Sequence, residues 1–315
     1  MTAAAGVFAA LNGANDGASL TSLGLTVRGL SPWLALTALG ASVAAVPFLF
    51  GTAVASTLTA RLVAFDGTGG SQALLVAIGT AILITFTLSS QGLPTSITLA
   101  LIGGIAGAGV GAGLTVSWSV IVLVLAAAAI SPTAGALVSN LVARGARRVP
   151  AKSEPRRKVR RAHALAFTAV CLAYGANDGQ KIVAVFAFAL GAHHGYAGPD
   201  PLILLVGAVL FIAGGMLGLR RFARTVGSGV APTRPEQAVV TEASVATIVL
   251  AVAAAGAPVS MTQSAAGGLV GTAWSVGPQR VRWRLVLRIG VAWALTLPSA
   301  FGLAAVTAYA AEILT

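Results

Sequence analysis

Acidic side chains are scarce in this sequence: 8 Asp and Glu stand against 20 Lys and Arg in 315 residues, and charged residues of all kinds make up 9%. A soluble domain carries roughly 25%, so there is too little charge to cover a water-facing surface. Cysteine is limited to Cys171, which excludes an internal disulfide and gives no metal-site spacing. No metal-ligand cluster and no nucleophile–base pair stands out. GAGVGAG at 107–113 lacks the Lys of a phosphate-binding loop and reads as helix packing. These absences argue against an enzyme. The first residues lack a basic region, and NGAND interrupts their apolar run, so they do not read as a cleaved signal peptide.

What is abundant is apolar sequence, 57% of the chain. It gathers into ten stretches, about 2–27, 33–60, 72–90, 94–114, 117–143, 162–190, 201–219, 238–256, 258–276 and 285–312. A helix needs about 20 apolar residues to cross the hydrocarbon of a bilayer, and its backbone polar groups must be satisfied internally there. The chain therefore reads as an all-α polytopic membrane protein. The alternating strands of a transmembrane barrel are not seen.

The net charge of +12 would suggest nucleic acid in a soluble protein. Here the basic residues lie between apolar stretches and read as topology, with no nucleic-acid partner. Residues 144–161 hold nine Lys/Arg and one Glu, which makes them a basic cytoplasmic linker. Arginines at 220–236 and 280–288 fall on the same side, and counting places both termini outside. Charge alone does not separate ten spans from fewer spans with re-entrant hairpins.

GANDG occurs twice, at 13–17 and 175–179, an offset of 162. Pro94-Thr95-Ser96-Ile97-Thr98 matches Pro258-Val259-Ser260-Met261-Thr262, an offset of 164, and Gly103, Gly104 and Gly107 match Gly267, Gly268 and Gly271. Trp118 and Trp283, then Pro132 and Pro298, continue the series. The pattern indicates duplication, with residues 1–143 as a first transmembrane repeat and 162–315 as a second. The copies enter the membrane from opposite sides, as in the inverted repeats of secondary transporters, whose sites lie near the midplane.

Asn, Asp and Gly are poor helix formers, and an intramembrane Asp or Lys is expensive. GANDG twice, with Lys181 three residues after Asp178, therefore reads as paired broken-helix ends facing one cavity. Free N–H groups there attract anions, and carboxylates suit a hard cation such as sodium at Asp16 and Asp178. Ser96, Thr98, Ser260 and Thr262 follow prolines at helix starts and add hydroxyls to a nest for a tetrahedral oxyanion. Lys181 has two readings, a phosphate point charge or a neutraliser of Asp178 on the same helix face. Gln180 is read as part of the site, with helix–helix glue as the alternative. The glycines read as close-packing surfaces, His193 and His194 as a solvated loop, and Glu242 as interfacial.

GANDG followed by Gln180-Lys181, with the later P-x-S-x-T turns, resembles the PiT family of inorganic phosphate transporters over nearly the whole chain. The resemblance implies cation-coupled uptake of inorganic phosphate driven by sodium or protons, with no cofactor. It implies substrate and cation roles for Asn15, Asp16, Asn177, Asp178, Gln180 and Lys181, and for Ser96, Thr98, Ser260 and Thr262. By analogy it suggests a homodimer in the cell membrane. One position departs from the family's pattern. Where the first motif usually continues as Ala-Asn, this chain has Ala18-Ser19, a hydroxyl in place of an amide. The rival readings are a sulfate permease on the same scaffold, an anion channel and a non-transporting scaffold. Paired acids argue against a channel, because anion pores favour Arg or Lys rings.

Overall fold

The computed structural model describes residues 1–65, 69–91, 95–148, 155–190, 200–222 and 230–314. Pro94, His193, His194 and the middle of the basic linker lie outside them.

The apolar stretches become helices with few changes of boundary. Helix α1 (Thr2–Asn12) passes through a π-helical turn (Gly13–Gly17) into α2 (Ala18–Gly24). Next come α3 (Pro32–Phe50), the short α4 (Ala53–Ser56) with a second π turn (Thr57–Arg61), and α5 (Gly70–Ser90). Helices α6 (Ile97–Gly111) and α7 (Trp118–Arg147) complete the first half. Among the described residues the second half follows a similar order without a counterpart of α4 and its π turn. Helix α8 (Pro155–Tyr174) passes through a third π turn (Gly175–Gly179) into α9 (Gln180–Ala189). Then follow α10 (Pro201–Phe222), α11 (Pro235–Ala254), α12 (Met261–Val276) and α13 (Trp283–Leu314).

Six of these helices, α3, α5, α7, α10, α11 and α13, are long and apolar enough to cross a membrane. Large apolar side chains such as Leu141, Leu165 and Leu217 are exposed, while Asn12, Asn15, Asp16, Asn177, Asp178 and Lys181 are buried among apolar ones. That inversion suits a hydrocarbon surround, and the molecule is a multi-pass membrane protein. Local sequence accounts for the helix starts. Pro32 sits in the first turn of α3, where its missing N–H costs nothing, and Ser31 accepts from Leu34 N at 3.2 Å. The 33–60 stretch is not one helix: Gly51, at φ 77°, turns the chain after Phe50.

Two sequence expectations are corrected here. GANDG does not break its helix at either site. The backbone stays helical and widens into a single π turn, a form often found at functional sites, so it offers no bare helix end to an anion. The glycines serve close approach instead. A Cβ on Gly13 would collide with Phe211 O on α10, and one on Gly175 with Ser42 O on α3. Glu242 is not interfacial. It is 1% exposed, with Oε1 lying 3.2 Å from His163 Nε2.

Helices α5 and α6 form one hairpin, and α11 and α12 form another. Each hairpin is covered by the last long helix of the other half. Gly103, Gly107 and Gly111 of α6 lie beneath Leu297, Phe301 and Ala305 of α13, while Gly267 and Gly271 of α12 lie beneath Pro132 and Ala136 of α7. Gly13→Ala should therefore lower the thermal unfolding midpoint of the purified protein, since overpacking costs about 1–3 kcal/mol. Gly79→Ala is the control, because nothing lies within 4 Å of its added Cβ. There the change should be neutral or stabilising by up to about 1 kcal/mol.

Candidate transport site

The ten residues singled out in the sequence are each 3% exposed or less, and all but Gln180 gather around one buried centre. Two hairpin tips, around Thr95 and Val259, come together there. Each tip is gripped by the Asn of its own half. Asn15 Nδ2 donates to Thr95 O (2.9 Å), and Thr95 N donates back to Asn15 Oδ1 (3.4 Å). Asn177 Nδ2 donates to Val259 O (2.8 Å), and Val259 N donates to Asn177 Oδ1 (3.0 Å). The primary amide imitates a peptide group, satisfying one buried donor and one buried acceptor that no helix ladder reaches.

The same Asn amides orient the acids. Asn15 Nδ2 donates to Asp16 Oδ1 at 2.6 Å, and Asn177 Nδ2 to Asp178 Oδ2 at 2.7 Å. The π turns let consecutive Asn and Asp side chains reach one centre. Two threonines then cross between halves: Thr98 Oγ1 donates to Val259 O (3.0 Å) and Thr262 Oγ1 to Thr95 O (3.1 Å). Tyr174 OH donates to Asn12 Oδ1 (2.7 Å), joining the residues that precede the two GANDG motifs. A set of contacts thus recurs around the two GANDG motifs and the two hairpin tips.

Ser96 and Ser260 are the N-caps of α6 and α12. Ser96 Oγ accepts from Leu99 N (3.1 Å) and Ser260 Oγ from Gln263 N (3.4 Å), as cap hydroxyls do. Gln180 lies off the tips. Its Oε1 accepts from Val54 N (2.7 Å) and Ala55 N (3.2 Å), and its Nε2 donates to Ala176 O (2.7 Å). It therefore anchors the start of α4. Lys181 Nζ donates to Asp178 Oδ1 (2.7 Å), Thr98 Oγ1 (2.6 Å) and Val259 O (2.6 Å). Among the described residues, Asp178 and Lys181 form an ion pair with both side chains fully buried.

Sequence reasoning missed several participants. Thr95 and Val259 contribute backbone, which a side-chain reading does not weigh. Asn12 and Tyr174 stand one residue before each motif, and that shared register was the available signal. His163 and Glu242 pair between α8 and α11, a juxtaposition without a local sequence mark.

Paired buried acids, a buried lysine and two capped helix starts, closed between two hairpins of a membrane protein, define the centre of a helical transporter. The sequence matches the phosphate transporter family over residues 12–167 and 146–304. A probable low-affinity inorganic phosphate transporter of Mycobacterium tuberculosis (strain ATCC 25618 / H37Rv) is 34% identical over 304 residues, covering 92% of this chain and 71% of that protein. One from Rhizobium meliloti is 29% identical over 313 residues, covering 96% and 93%. The solved structure titled "The sodium-dependent phosphate transporter" has the same fold, with a TM-score of 0.84 at 18% identity over 99% of this chain and 98% of that one. The chain belongs to the phosphate transporter family. The sulfate alternative finds no support in these likenesses.

Proposed function

We propose that the protein imports inorganic phosphate across the cell membrane, coupled to sodium or protons, by alternating access at the site between the hairpin tips. The observation that carries this is the charge at the centre. Among the described residues Asp178 pairs with Lys181 and Asp16 has no ion pair, which leaves one net negative charge in a buried interior when all three are ionised. An incoming phosphate would be repelled there. Unit charges about 4 Å apart interact by about 4 kcal/mol at an effective dielectric of 20. A cation or proton taken up at Asp16 removes that repulsion, so the anion and the cation travel together.

The phosphate oxygens would be held by N–H groups at the starts of α6 and α12 and by the Ser96, Ser260, Thr98 and Thr262 hydroxyls. In the present closed arrangement both threonine protons are donated to the opposite tip. Separation of the tips would free them for the substrate. Asn15 and Asn177 keep the tips in register, and Gln180 steadies α4. The 15-residue α6 is about 22 Å long, short of a hydrocarbon thickness of about 30 Å. This supports hairpins that enter from opposite faces and meet near the midplane. We place the basic 144–161 segment in the cytoplasm and both termini outside, with residues 1–143 and 162–315 as the two repeats. A homodimer rests on analogy.

The test is radiolabelled phosphate uptake into proteoliposomes under sodium and proton gradients imposed separately, with excess sulfate as competitor. Accumulation above equilibrium under one gradient, indifferent to sulfate, is the expected result and names the ion. Flux without accumulation would make the protein a channel, and uptake of labelled sulfate instead would overturn the substrate.

A further inference from the structure

The two halves of the centre share their Asn–tip, Asn–Asp and Thr–tip contacts and differ at Lys181. Asp178 Oδ1, Thr98 Oγ1 and Val259 O surround Lys181 Nζ at 2.6–2.7 Å. A carboxylate, a hydroxyl and a carbonyl are the ligand set of a hard cation. The same three groups recur in the other half. The Thr262 hydroxyl lies beside the Asp16 carboxylate and donates to Thr95 O at 3.1 Å. Among the described residues no lysine donates a hydrogen bond to Asp16, Thr262 or Thr95 O; the Lys181 bonds all go to the other cage. The position matching Lys181 is Ser19, whose hydroxyl turns back onto Asn15 O at 2.5 Å. Asp16 therefore has no ion pair among the described residues, although it is 2% exposed.

We propose that Lys181 is a tethered cation: its ammonium permanently fills one of two matching cation cages, and only the Asp16 cage takes a mobile coupling ion, sodium. This deepens the transport reading above and rests on it. The alternative, Lys181 as the point charge for phosphate, fits the geometry poorly. All three ammonium protons are already donated to protein oxygens, and an ammonium has three donors and no more. One of those oxygens, Asp178 Oδ1, is charged, so a phosphate would compete with a bond of the stronger, charge-assisted kind. The consequence is stoichiometric. The protein carries one coupling ion fewer per phosphate than two open cages would allow, and the Asp178 side of the centre keeps a fixed charge through the cycle.

Lys181→Ser makes the two halves alike at this position and opens the second cage. In proteoliposomes loaded for labelled sodium and labelled phosphate uptake, this variant is expected to move one further sodium ion per phosphate than the parent. Its uptake should also rise more steeply with external sodium. An unchanged sodium ratio with a weakened half-saturation for phosphate would assign Lys181 to the substrate and overturn the inference. A second readout needs no transport. In phosphate-free detergent solution, sodium should raise the thermal unfolding midpoint of Lys181→Ser more than that of the parent, with choline as the control cation, because a ligand that binds only the folded state stabilises it. Equal responses to sodium would overturn the tethered cation. The reciprocal Ser19→Lys is expected to lose the sodium response altogether and keeps the test open where Lys181→Ser does not fold; a full response retained in Ser19→Lys would overturn the inference. Parent protein without uptake under any gradient would remove the transport reading, and the binding readout would still decide the cage.

Discussion

Asp178→Asn is expected to destabilise the folded protein by about 3–5 kcal/mol, the cost of leaving one member of a buried ion pair without its partner. Lys181 is 0% exposed, and its remaining contacts, Thr98 Oγ1 and Val259 O, carry no charge to balance it. The same substitution at Asp16 should behave in the opposite way. No ammonium contacts Asp16 among the described residues, so a neutral amide there relieves an unpaired buried charge. Its unfolding midpoint should be unchanged or higher. Function should not follow stability. Concentrative phosphate uptake is expected to fail in both variants, in Asp178→Asn with loss of the fold and in Asp16→Asn with the fold intact. Thermal unfolding of both purified variants, set beside proteoliposome uptake, checks the contrast. Equal destabilisation by the two changes would refute the asymmetry, and uptake surviving in Asp16→Asn would refute the coupling role.

Asn177→Asp changes one group, an NH2 for an oxygen, and should be among the most damaging substitutions in the molecule. Asn177 Nδ2 donates to both Val259 O and Asp178 Oδ2. An aspartate in its place has no proton for either and turns a further carboxylate oxygen toward two acceptors. Each buried group left unsatisfied costs about 1–3 kcal/mol, more where charge is involved. Asn177→Ala should be milder, since it removes the amide without adding charge. The measurement is the fraction of monodisperse protein after purification, together with the unfolding midpoint. Asn177→Asp as stable as the parent would mean that the Asn grip on the hairpin tip does not hold the structure.

The sequence was most informative where duplication made a weak signal count twice. Ten apolar stretches, GANDG at an offset of 162 and the two P-x-S-x-T turns located nearly every helix and all ten central side chains. Composition did the rest, because a charge content this low leaves hydrocarbon as the only suitable surround. Conformation at GANDG was not legible. Helix propensity predicts a break from Gly, Asn and Asp, but each glycine presses against a backbone oxygen or side chain of a distant helix, and that packing favours a continuous helix with a π turn. The roles of Ser96 and Ser260 as caps and of Gln180 as an anchor were also hidden. Polar residue types announce that a hydrogen bond will be made; they do not say whether backbone or substrate will accept it. Glu242 and His163 pair across α8 and α11, a distance that no local pattern encodes.

The exchange of covering helices between halves has a bearing on biosynthesis. Helix α6 leaves the ribosome well before α13, yet the glycine ridge of α6 is shaped to receive α13 and nothing nearer in sequence. The first hairpin must therefore wait in the membrane, its small-residue ridge uncovered, while almost the entire second half is translated and inserted. Assembly resembles the closing of a clasp, in which a helix of the second half completes the half made first.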